Sequence, residues 1–211
     1  MQVGWRRRLP VLAAPTVLRR RGLAVLAAPA VEARWSVGPR PELRERVHRL
    51  VADTGHGAPG LGEGLKPVAL RCIEAGEIVF QEGGEYVSSP GLHTIQVGVD
   101  VHLHMPGEAR YTAHSFSPTC YCRIVEPSAH PIDIVALRRI GVGQEISFDY
   151  TTVEWELAGG GFVDAATGRW CRGFKHRMEE EKRVLLASSV LPRHIMALWL
   201  ADMLGKDRER N

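Results

Sequence analysis

The feature that most constrains the fold is a series of short apolar stretches with a two-residue period, separated by turns rich in glycine and proline. In residues 95–104, IQVGVDVHLH, every odd position is apolar and the even positions are mostly polar. This alternation predicts one long, half-buried β-strand whose even-numbered side chains face solvent. Residues 78–81, 133–140 and 145–150 predict three further strands. Short strands of this kind indicate a mainly β (α+β) domain of small sheets rather than a doubly wound α/β fold.

Helical periodicity occurs on both sides of this β-rich region. Residues 41–51, PELRERVHRLV, place apolar side chains three or four positions apart, which predicts a short amphipathic helix. Residues 52–66 follow as a flexible linker rich in glycine and proline. Residues 176–189 and 193–204 predict two more helices, the second beginning at Pro192. We interpret the last helix as completing the core of its own domain, with the docking of a partner as the alternative.

The first 31 residues are basic and contain no acidic residue. They hold six of the 27 Lys and Arg residues, which leaves 21 basic against 24 acidic residues in the rest of the chain. Such a leader is typical of an organellar transit peptide, although these peptides are usually richer in serine. A disordered tail and a mistaken gene start are the alternatives. A transit peptide predicts a plastid or mitochondrial location, and the alternatives predict the cytoplasm or the nucleus.

Charge and cysteine content narrow the class of protein further. The mildly acidic body gives no support to direct binding of nucleic acid. No apolar run in the leader reaches the roughly 18–20 residues that a membrane span requires. Four cysteines in 211 residues do not make a disulfide framework, so a reducing compartment is favoured.

Two pairs of potential metal ligands stand two residues apart. His102 and His104 share the polar face of the predicted strand, which favours a surface pair of histidines over a metal site. Cys120 and Cys122 are interpreted as core residues, because no second Cys or His pair stands at structural-zinc spacing. The sequence also lacks a P-loop, a G-x-S-x-G elbow and an H-E-x-x-H motif, so the corresponding enzyme classes have no support.

Four stretches, in a fixed order, carry a resemblance to a known family. They are GEGLKPVALRCIEAGEIVF (62–80), RYTAHSFSPTC (110–120), VALRRIGVGQEISFDY (135–150) and GRWCRGF (168–174). They resemble, in turn, the Gly-x-Gly loop with its G-E-x-V strand, the N-H-S-C segment, the F-D-Y segment and the end of the post-SET tail of the SET-domain protein-lysine methyltransferases. The resemblance covers about residues 62–174.

The resemblance divides the chain into five segments. A basic leader occupies residues 1–35, and the predicted helix and linker occupy residues 36–61. The SET domain is placed at 62–152, a degenerate post-SET tail at 153–175 and a C-terminal helical segment at 176–211. The implied fold consists of small β-sheets in which the H-S segment and the segment before F-D-Y thread into a pseudoknot.

The resemblance implies transfer of a methyl group from S-adenosylmethionine (SAM) to a lysine ε-amine of a protein substrate. Tyr150 stands at the position of the catalytic tyrosine, and Phe148 at the position that influences how many methyl groups are added. The residues that the resemblance assigns to cofactor binding are Gly62, Gly64, Leu65, Arg110, Tyr111, Ala113 and His114. The alternative is a catalytically weak or inactive SET-fold protein that acts as an interaction or SAM-binding module.

This sequence departs from the family pattern around the cofactor. Ala113 stands where the family has an asparagine whose side chain helps to hold the cofactor, and Thr119 replaces the second asparagine of the motif. Losing one hydrogen bond of this kind weakens binding by about 0.5–1.5 kcal/mol.

The positions of the family's post-SET zinc ligands also differ. They are occupied here by Phe116, Asp164, Ala166 and Cys171. A phenyl ring and a methyl group cannot coordinate zinc, which normally takes four donors in a closed site, so we predict no zinc in the tail. The aromatic side chains expected instead to pack the tail over the cofactor are Phe162, Trp170 and Phe174, with a surface aromatic cluster as the alternative.

Overall fold

Small β-sheets make up most of the chain that the structure describes. The structure is a computed structural model, and the residues described are 47–52, 64–125 and 128–210. The strands are β1 (His48–Ala52), β2 (Leu65–Ala69), β3 (Ile78–Glu82), β4 (Glu85–Val87), β5 (Thr94–Gln96), β6 (His102–His104), β7 (Ala113–His114), β8 (Cys120–Ile124), β9 (Ile132–Ala136), β10 (Ser147–Phe148), β11 (Phe162–Val163) and β12 (Trp170–Cys171). The predicted mainly β fold is confirmed.

Five sheets of two or three strands form within the described residues. Two are three-stranded and antiparallel, in the orders β3-β9-β8 and β4-β6-β5. The pairs β1-β2 and β11-β12 are antiparallel, and β7-β10 is parallel.

The main core lies around the sheet β3-β9-β8. All five residues of its central strand β9 are buried, because neighbouring elements cover both faces of the sheet. Cys120 and Cys122 of β8 are buried in this core, which confirms their prediction as core residues. Strands are present near residues 78–81, 133–140 and 145–150 as predicted, although β9 ends at Ala136 and β10 contains only Ser147 and Phe148.

The predicted helix at residues 41–51 is wrong where the structure describes it. Residues 48–51 lie in β1, which pairs with β2 from His48 opposite Ala69 to Ala52 opposite Leu65. The partner strand supplies ladder hydrogen bonds that local periodicity cannot reveal, and this tertiary pairing overrides the local helical pattern. Residues 41–46, most of the linker, Gly62 and the basic leader lie outside the described residues.

The single strand predicted at residues 95–104 is a hairpin. Strands β5 and β6 pair with Ile95 opposite Leu103, and Val97 and Gly98 both donate to the carbonyl of Val101 across the turn. Apolar and polar residues alternate through the turn as well as in the two strands. The sequence pattern therefore gives no sign that the chain reverses direction here. The predicted solvent-facing side is also wrong at Gln96 and His102, which are buried, whereas His104 is exposed.

Distant residues explain why Gln96 is buried. The Gln96 backbone N–H donates to Glu154 Oε1 at 2.8 Å, and Gln96 Oε1 accepts from the Trp155 N–H at 2.8 Å. A segment almost sixty positions along the chain therefore covers this edge, and no local pattern could have predicted it.

The two C-terminal helices are confirmed. Helix α1 (Glu179–Ala187) is followed by α2 (Arg193–Arg210), which begins directly after Pro192 as predicted. Ile195 and Trp199 of α2 pack with Phe174 and Leu191 in a second core cluster, which supports the interpretation that α2 completes its own domain. Among the described helices, none combines the length and the apolar character needed to cross a membrane.

Candidate active site

The segments RYTAHSF and EISFDY lie side by side. Strand β7 runs parallel to β10, with Ala113 opposite Ser147 and His114 opposite Phe148. The Ser115 N–H extends the pairing by donating to the Phe148 carbonyl at 3.1 Å. Two segments more than thirty residues apart therefore meet, in the pairing that the family resemblance implies.

Tyr150 is fixed at both its hydroxyl and its backbone. Its hydroxyl donates to the Thr112 carbonyl at 2.6 Å, and its N–H donates to His114 Nδ1 at 3.2 Å. The Tyr150 and Phe148 rings contact each other with centroids 4.9 Å apart. Burial raises the pKa of the Tyr150 hydroxyl well above its usual value, so the phenol keeps its proton at neutral pH.

His114 lies at the centre of a group of aromatic rings. Its ring meets Phe116, Tyr150 and Phe162 edge to face, with centroid distances of 4.5, 5.3 and 5.5 Å. Burial lowers the pKa of His114, which keeps the imidazole neutral. Since Nδ1 accepts the Tyr150 N–H, the proton resides on Nε2, and this buried nitrogen has no hydrogen-bond partner among the described residues.

The elements that carry the predicted cofactor residues are adjacent. Strand β2, which begins after Gly64, lies against the 3-10 turn Glu108–Tyr111. The Ile146 N–H donates to the Pro67 carbonyl at 3.0 Å and joins β2 to the segment leading into β10. These contacts place β2 next to the 3-10 turn and join it to the segment before β10, which pairs with β7. These elements and their ends carry Gly64, Leu65, Arg110, Tyr111, Ala113 and His114, while Gly62 lies outside the described residues.

Gly64 has the backbone conformation and the surrounding space expected of a ligand-binding glycine. Its φ is +65°, a left-handed value that favours glycine. A Cβ built at this position would have no described heavy atom within 4 Å. The main chain is therefore open to the approach of a ligand on this side.

The Arg110 and Tyr111 side chains brace their own segment. The Arg110 guanidinium lies over the Tyr111 ring, 4.6 Å from its centroid, and Arg110 Nη1 donates to the Pro106 carbonyl at 2.7 Å. These contacts fix the conformation of the 3-10 turn beside β2. The two side chains therefore determine where the backbone of this turn lies in the candidate site.

The residues of the candidate site match a polar, nucleoside-type cofactor only in part. Thr112 Oγ1 and His114 Nε2 are buried without a hydrogen-bond partner among the described residues, and Gly64 leaves open space beside the main chain. Buried polar atoms normally have partners, so these two atoms are suited to a ligand. At Ala113, in contrast, the methyl group offers neither a donor nor an acceptor.

The post-SET-like tail forms a hairpin over this region. Strands β11 and β12 pair with Phe162 opposite Cys171. The Phe162 ring contacts those of His114 and Tyr150, and Cys171 Sγ lies 3.7 Å from His114 Nδ1. The expectation that aromatic residues pack the tail over the site agrees with these contacts at Phe162. It is wrong at Trp170, whose surface is 63% exposed, and at Phe174, which packs in the second core cluster instead.

Most positions of the family's zinc ligands carry residues other than cysteine in this chain. In the part of the chain that the structure describes, no three His, Cys, Asp or Glu side chains are grouped to hold a metal ion. Burial raises the pKa of the Cys171 thiol to about 12, which disfavours the thiolate that zinc requires. That the tail binds no zinc stays a prediction.

Two arginines that sequence reasoning missed lie against Phe116. The guanidinium carbons of Arg169 and Arg177 are 4.3 and 5.0 Å from the Phe116 ring centroid. The arginine-rich stretch GRWCRGFKHR gave no signal that two of its cations would reach a ring more than fifty residues earlier. The Thr112 carbonyl, which accepts from Tyr150, was also missed, because a backbone acceptor leaves no mark in the sequence.

A buried carboxyl group lies beside the site. Glu154 accepts a hydrogen bond from the Gln96 N–H, and burial raises its pKa to about 7. In the unfolded chain the same group ionises near its ordinary value of 4.5. Between these two pH values the folded state binds one more proton than the unfolded state, so folding and protonation are linked.

Glu154 is therefore expected to give the stability a distinctive pH dependence. The contribution of Glu154 to the free energy of unfolding should fall as the pH rises from about 4.5 to about 7, by roughly 3 kcal/mol, and then level off. The lowered pKa of His114 acts in the opposite direction, so the Glu154 contribution is read from the difference between variant and wild type. In Glu154→Gln, whose side-chain oxygen still accepts from Gln96, this fall should be absent, whereas the exposed control Glu85→Gln should retain it. Urea denaturation at a series of pH values measures the effect, and equal slopes in Glu154→Gln and the wild type would exclude it.

Comparison with known proteins identifies the domain that contains this site. Residues 64–151 match the family model described as the SET domain. The chain contains a SET domain. The matched region includes β2 to β10 and Tyr150, so the resemblance seen in the sequence is confirmed over these residues.

Two curated relatives are similar to part of this chain. Both carry the name histone-lysine N-methyltransferase trithorax. The protein from Drosophila virilis is 36% identical over 107 residues, and the protein from Drosophila melanogaster is 35% identical over 107 residues. Each alignment covers 42% of this chain and 3% of the relative. This chain therefore corresponds to a small part of the relatives' length.

Proposed function

We propose that this protein is a SAM-dependent protein-lysine N-methyltransferase. The observation that carries the proposal is the setting of Tyr150, whose protonated hydroxyl is anchored on the Thr112 carbonyl beside Phe148 and His114. The SET domain and the names of the two relatives support the reaction class.

The Tyr150 hydroxyl is suited to orientation and charge stabilisation rather than to proton abstraction. Because burial raises its pKa, the phenol stays neutral and presents an oxygen dipole. Its own proton is directed to the Thr112 carbonyl, so its lone pairs remain available to face positive charge. A fixed dipole of this kind stabilises developing charge without reorganising during the reaction.

SAM, when bound, supplies a methyl group on a sulfonium centre that is already strongly electrophilic. The residues proposed to hold it are Gly64, Leu65, Arg110, Tyr111, Ala113 and His114 in the described part of the chain, together with Gly62. The task left to the protein is to align a neutral lysine amine with that methyl group, which is an effect of proximity and orientation. Phe148, whose ring contacts Tyr150, is proposed to line the lysine channel.

A catalytically weak or inactive SAM-binding module is the second candidate. The observation that favours it is the loss of hydrogen-bonding capacity at Ala113, together with the altered positions of the zinc ligands. The two candidates differ in one respect that is easily measured, since an inactive module binds SAM without transferring its methyl group.

Two linked experiments separate these candidates. Calorimetric titration with SAM should give saturable binding to the full chain, and incubation with methyl-labelled SAM and mixed lysine-rich peptides should label the peptides. Binding without transfer would establish the module instead of the enzyme. Absence of both binding and transfer would overturn both candidates.

Restoring the family's asparagine provides a further prediction. Ala113→Asn should strengthen SAM binding by about 2- to 10-fold, the equivalent of one hydrogen bond of about 0.5–1.5 kcal/mol. Ala113 is partly exposed in β7, so an asparagine can be accommodated without burial in the main core. Calorimetry measures the effect, with Ala113→Leu as a control of similar size that lacks the amide. Equal affinities for all three proteins would contradict a cofactor contact at this position.

A further inference from the structure

The Phe116 ring is contacted by two guanidinium groups from the tail. Arg169 lies in the β11-β12 hairpin, directly before Trp170, and Arg177 lies between that hairpin and α1. The Arg177 side chain is only 10% exposed, whereas that of Arg169 is 47% exposed. A guanidinium over an aromatic face is attracted more strongly where water is excluded, so burial strengthens the Arg177 contact, while Arg169 lies closer to the ring.

Glu181 of α1 joins the two arginines. Its Oε1 forms ion pairs with Arg169 Nη2 and, at 3.5 Å, with Arg177 Nη1. Its Oε2 accepts from the Met178 N–H at 3.3 Å, which fixes the carboxylate at the start of the helix. We call these four residues, Phe116, Arg169, Arg177 and Glu181, the arginine stack. The carboxylate offsets the repulsion between the two like charges.

Arg177 also reaches the turn that presents Tyr150. Its Nη2 forms an ion pair with Asp149 Oδ2, and its Nε donates to Thr151 Oγ1 at 2.6 Å. The other Asp149 oxygen accepts from the Thr151 N–H at 3.0 Å. The Asp149 side chain is 5% exposed, so this cation neutralises a carboxylate that is almost completely buried.

The arginine stack joins the segments that a zinc ion would otherwise hold together. Phe116 stands at one ligand position of the family's zinc site, and Cys171, at another, lies against His114 in the same hairpin as Arg169. The stack links the segment after β7, the tail hairpin and the first turn of α1. These charge and π contacts add to the Phe162 and Cys171 contacts that hold the hairpin over His114 and Tyr150.

We propose that the arginine stack fastens the Phe162–Cys171 hairpin over the site without a metal ion, and that Arg177 positions the turn bearing Tyr150. The first part concerns the fold of the tail. The second part rests on the proposed methyltransferase function.

Hydrogen–deuterium exchange on the full chain tests the fastening of the hairpin. In Arg169→Gln, the amides of Phe162–Cys171 should exchange at least tenfold faster than in the wild type. The matched control is Arg172→Gln, which removes an exposed arginine from the same stretch that takes no part in the stack. A chelator should leave exchange in the wild type unchanged, and metal analysis of the purified protein should find no stoichiometric zinc.

Two results would overturn the metal-free fastening. One is unchanged protection of the hairpin in Arg169→Gln. The other is stoichiometric zinc whose removal exposes the hairpin in the wild type. Neither readout depends on methyl transfer, so this part of the proposal can stand or fall separately from the proposed function.

Arg177→Lys tests the positioning role while keeping a positive charge beside Asp149. Lysine cannot reproduce the fork that binds Asp149, Thr151 and Glu181 together, so amides of Tyr150–Val153 should exchange faster. In Arg169→Gln these amides should remain protected. Initial rates over a range of SAM concentrations measure both kcat and the KM for SAM. Arg177→Lys should lower kcat by tenfold or more with a smaller change in this KM, whereas Arg169→Gln should mainly raise this KM.

An unchanged kcat in Arg177→Lys, despite faster exchange in the turn, would overturn the positioning role. Equal effects of the two variants on kcat and KM would do the same. If the wild type itself transfers no methyl group, the proposed function fails and the positioning role fails with it, while the exchange data still decide how the hairpin is held.

Discussion

Replacing Tyr150 with phenylalanine is expected to lower kcat for methyl transfer by roughly 100- to 1000-fold, the usual effect of removing one preorganised dipole from a reacting centre. The phenylalanine ring preserves the contacts with Phe148 and His114 but removes the oxygen anchored on the Thr112 carbonyl. Binding of SAM should change little, because the cofactor is held by other residues. Steady-state kinetics at saturating SAM and peptide measure the effect.

The control for this prediction is Tyr121→Phe. Tyr121 is a partly buried tyrosine of β8, in a different sheet from β10, and its loss of a hydroxyl should leave kcat within about twofold. Both variants should retain the wild-type circular dichroism, and Tyr150→Phe should lose about 0.5–1.5 kcal/mol of stability for its missing hydrogen bond. A kcat within threefold of the wild type in Tyr150→Phe would remove the hydroxyl from the mechanism.

Replacing Arg177 with glutamine is expected to have the largest effect on stability. The substitution leaves the Asp149 carboxylate buried without its cation, and breaking a buried ion pair on one side costs about 3–5 kcal/mol. It also removes a guanidinium from the Phe116 ring and from Glu181. Urea denaturation should show this loss as a lower midpoint of unfolding.

Arg172→Gln is the matched control for this stability measurement. It removes the same charge from an exposed position five residues earlier, where the expected change is within about 0.5 kcal/mol. If Arg177→Gln lost less than about 1 kcal/mol, Asp149 would not depend on Arg177 and the structural basis of the arginine stack would be wrong.

The order of motifs was sufficient to predict the architecture, because each motif combines local turn chemistry with a short strand. Strand β9 was predicted from its apolar residues, and the burial of Cys120 and Cys122 from the lack of a second Cys or His pair at zinc spacing. Strand β1 and the β5-β6 hairpin were not predictable in this way. Their structure depends on pairing with β2 and on covering by Glu154 and Trp155, which are distant in sequence.

The candidate site shows the same difference between features that the motifs imply and contacts between distant residues. The proximity of Tyr150 and His114 was implied by the resemblance, and the β7-β10 pair brings them together. The arginine stack was not foreseen, because a cation–π contact between Arg177 and Phe116 joins residues more than sixty positions apart and has no local sequence signature. Sequence departures at the positions of the zinc ligands indicated that the usual fastening was altered, but they did not show what replaces it.

The most direct test of the central claim is a methyl-transfer assay that identifies the acceptor atom. The purified full chain is incubated with methyl-labelled SAM and lysine-rich peptides, and mass spectrometry locates the label, with Tyr150→Phe run in parallel. A methyltransferase should place the label on lysine ε-amines, and Tyr150→Phe should remove nearly all of it. Saturable binding of SAM without any labelled lysine, or equal labelling by the wild type and Tyr150→Phe, would contradict the proposed function and mechanism.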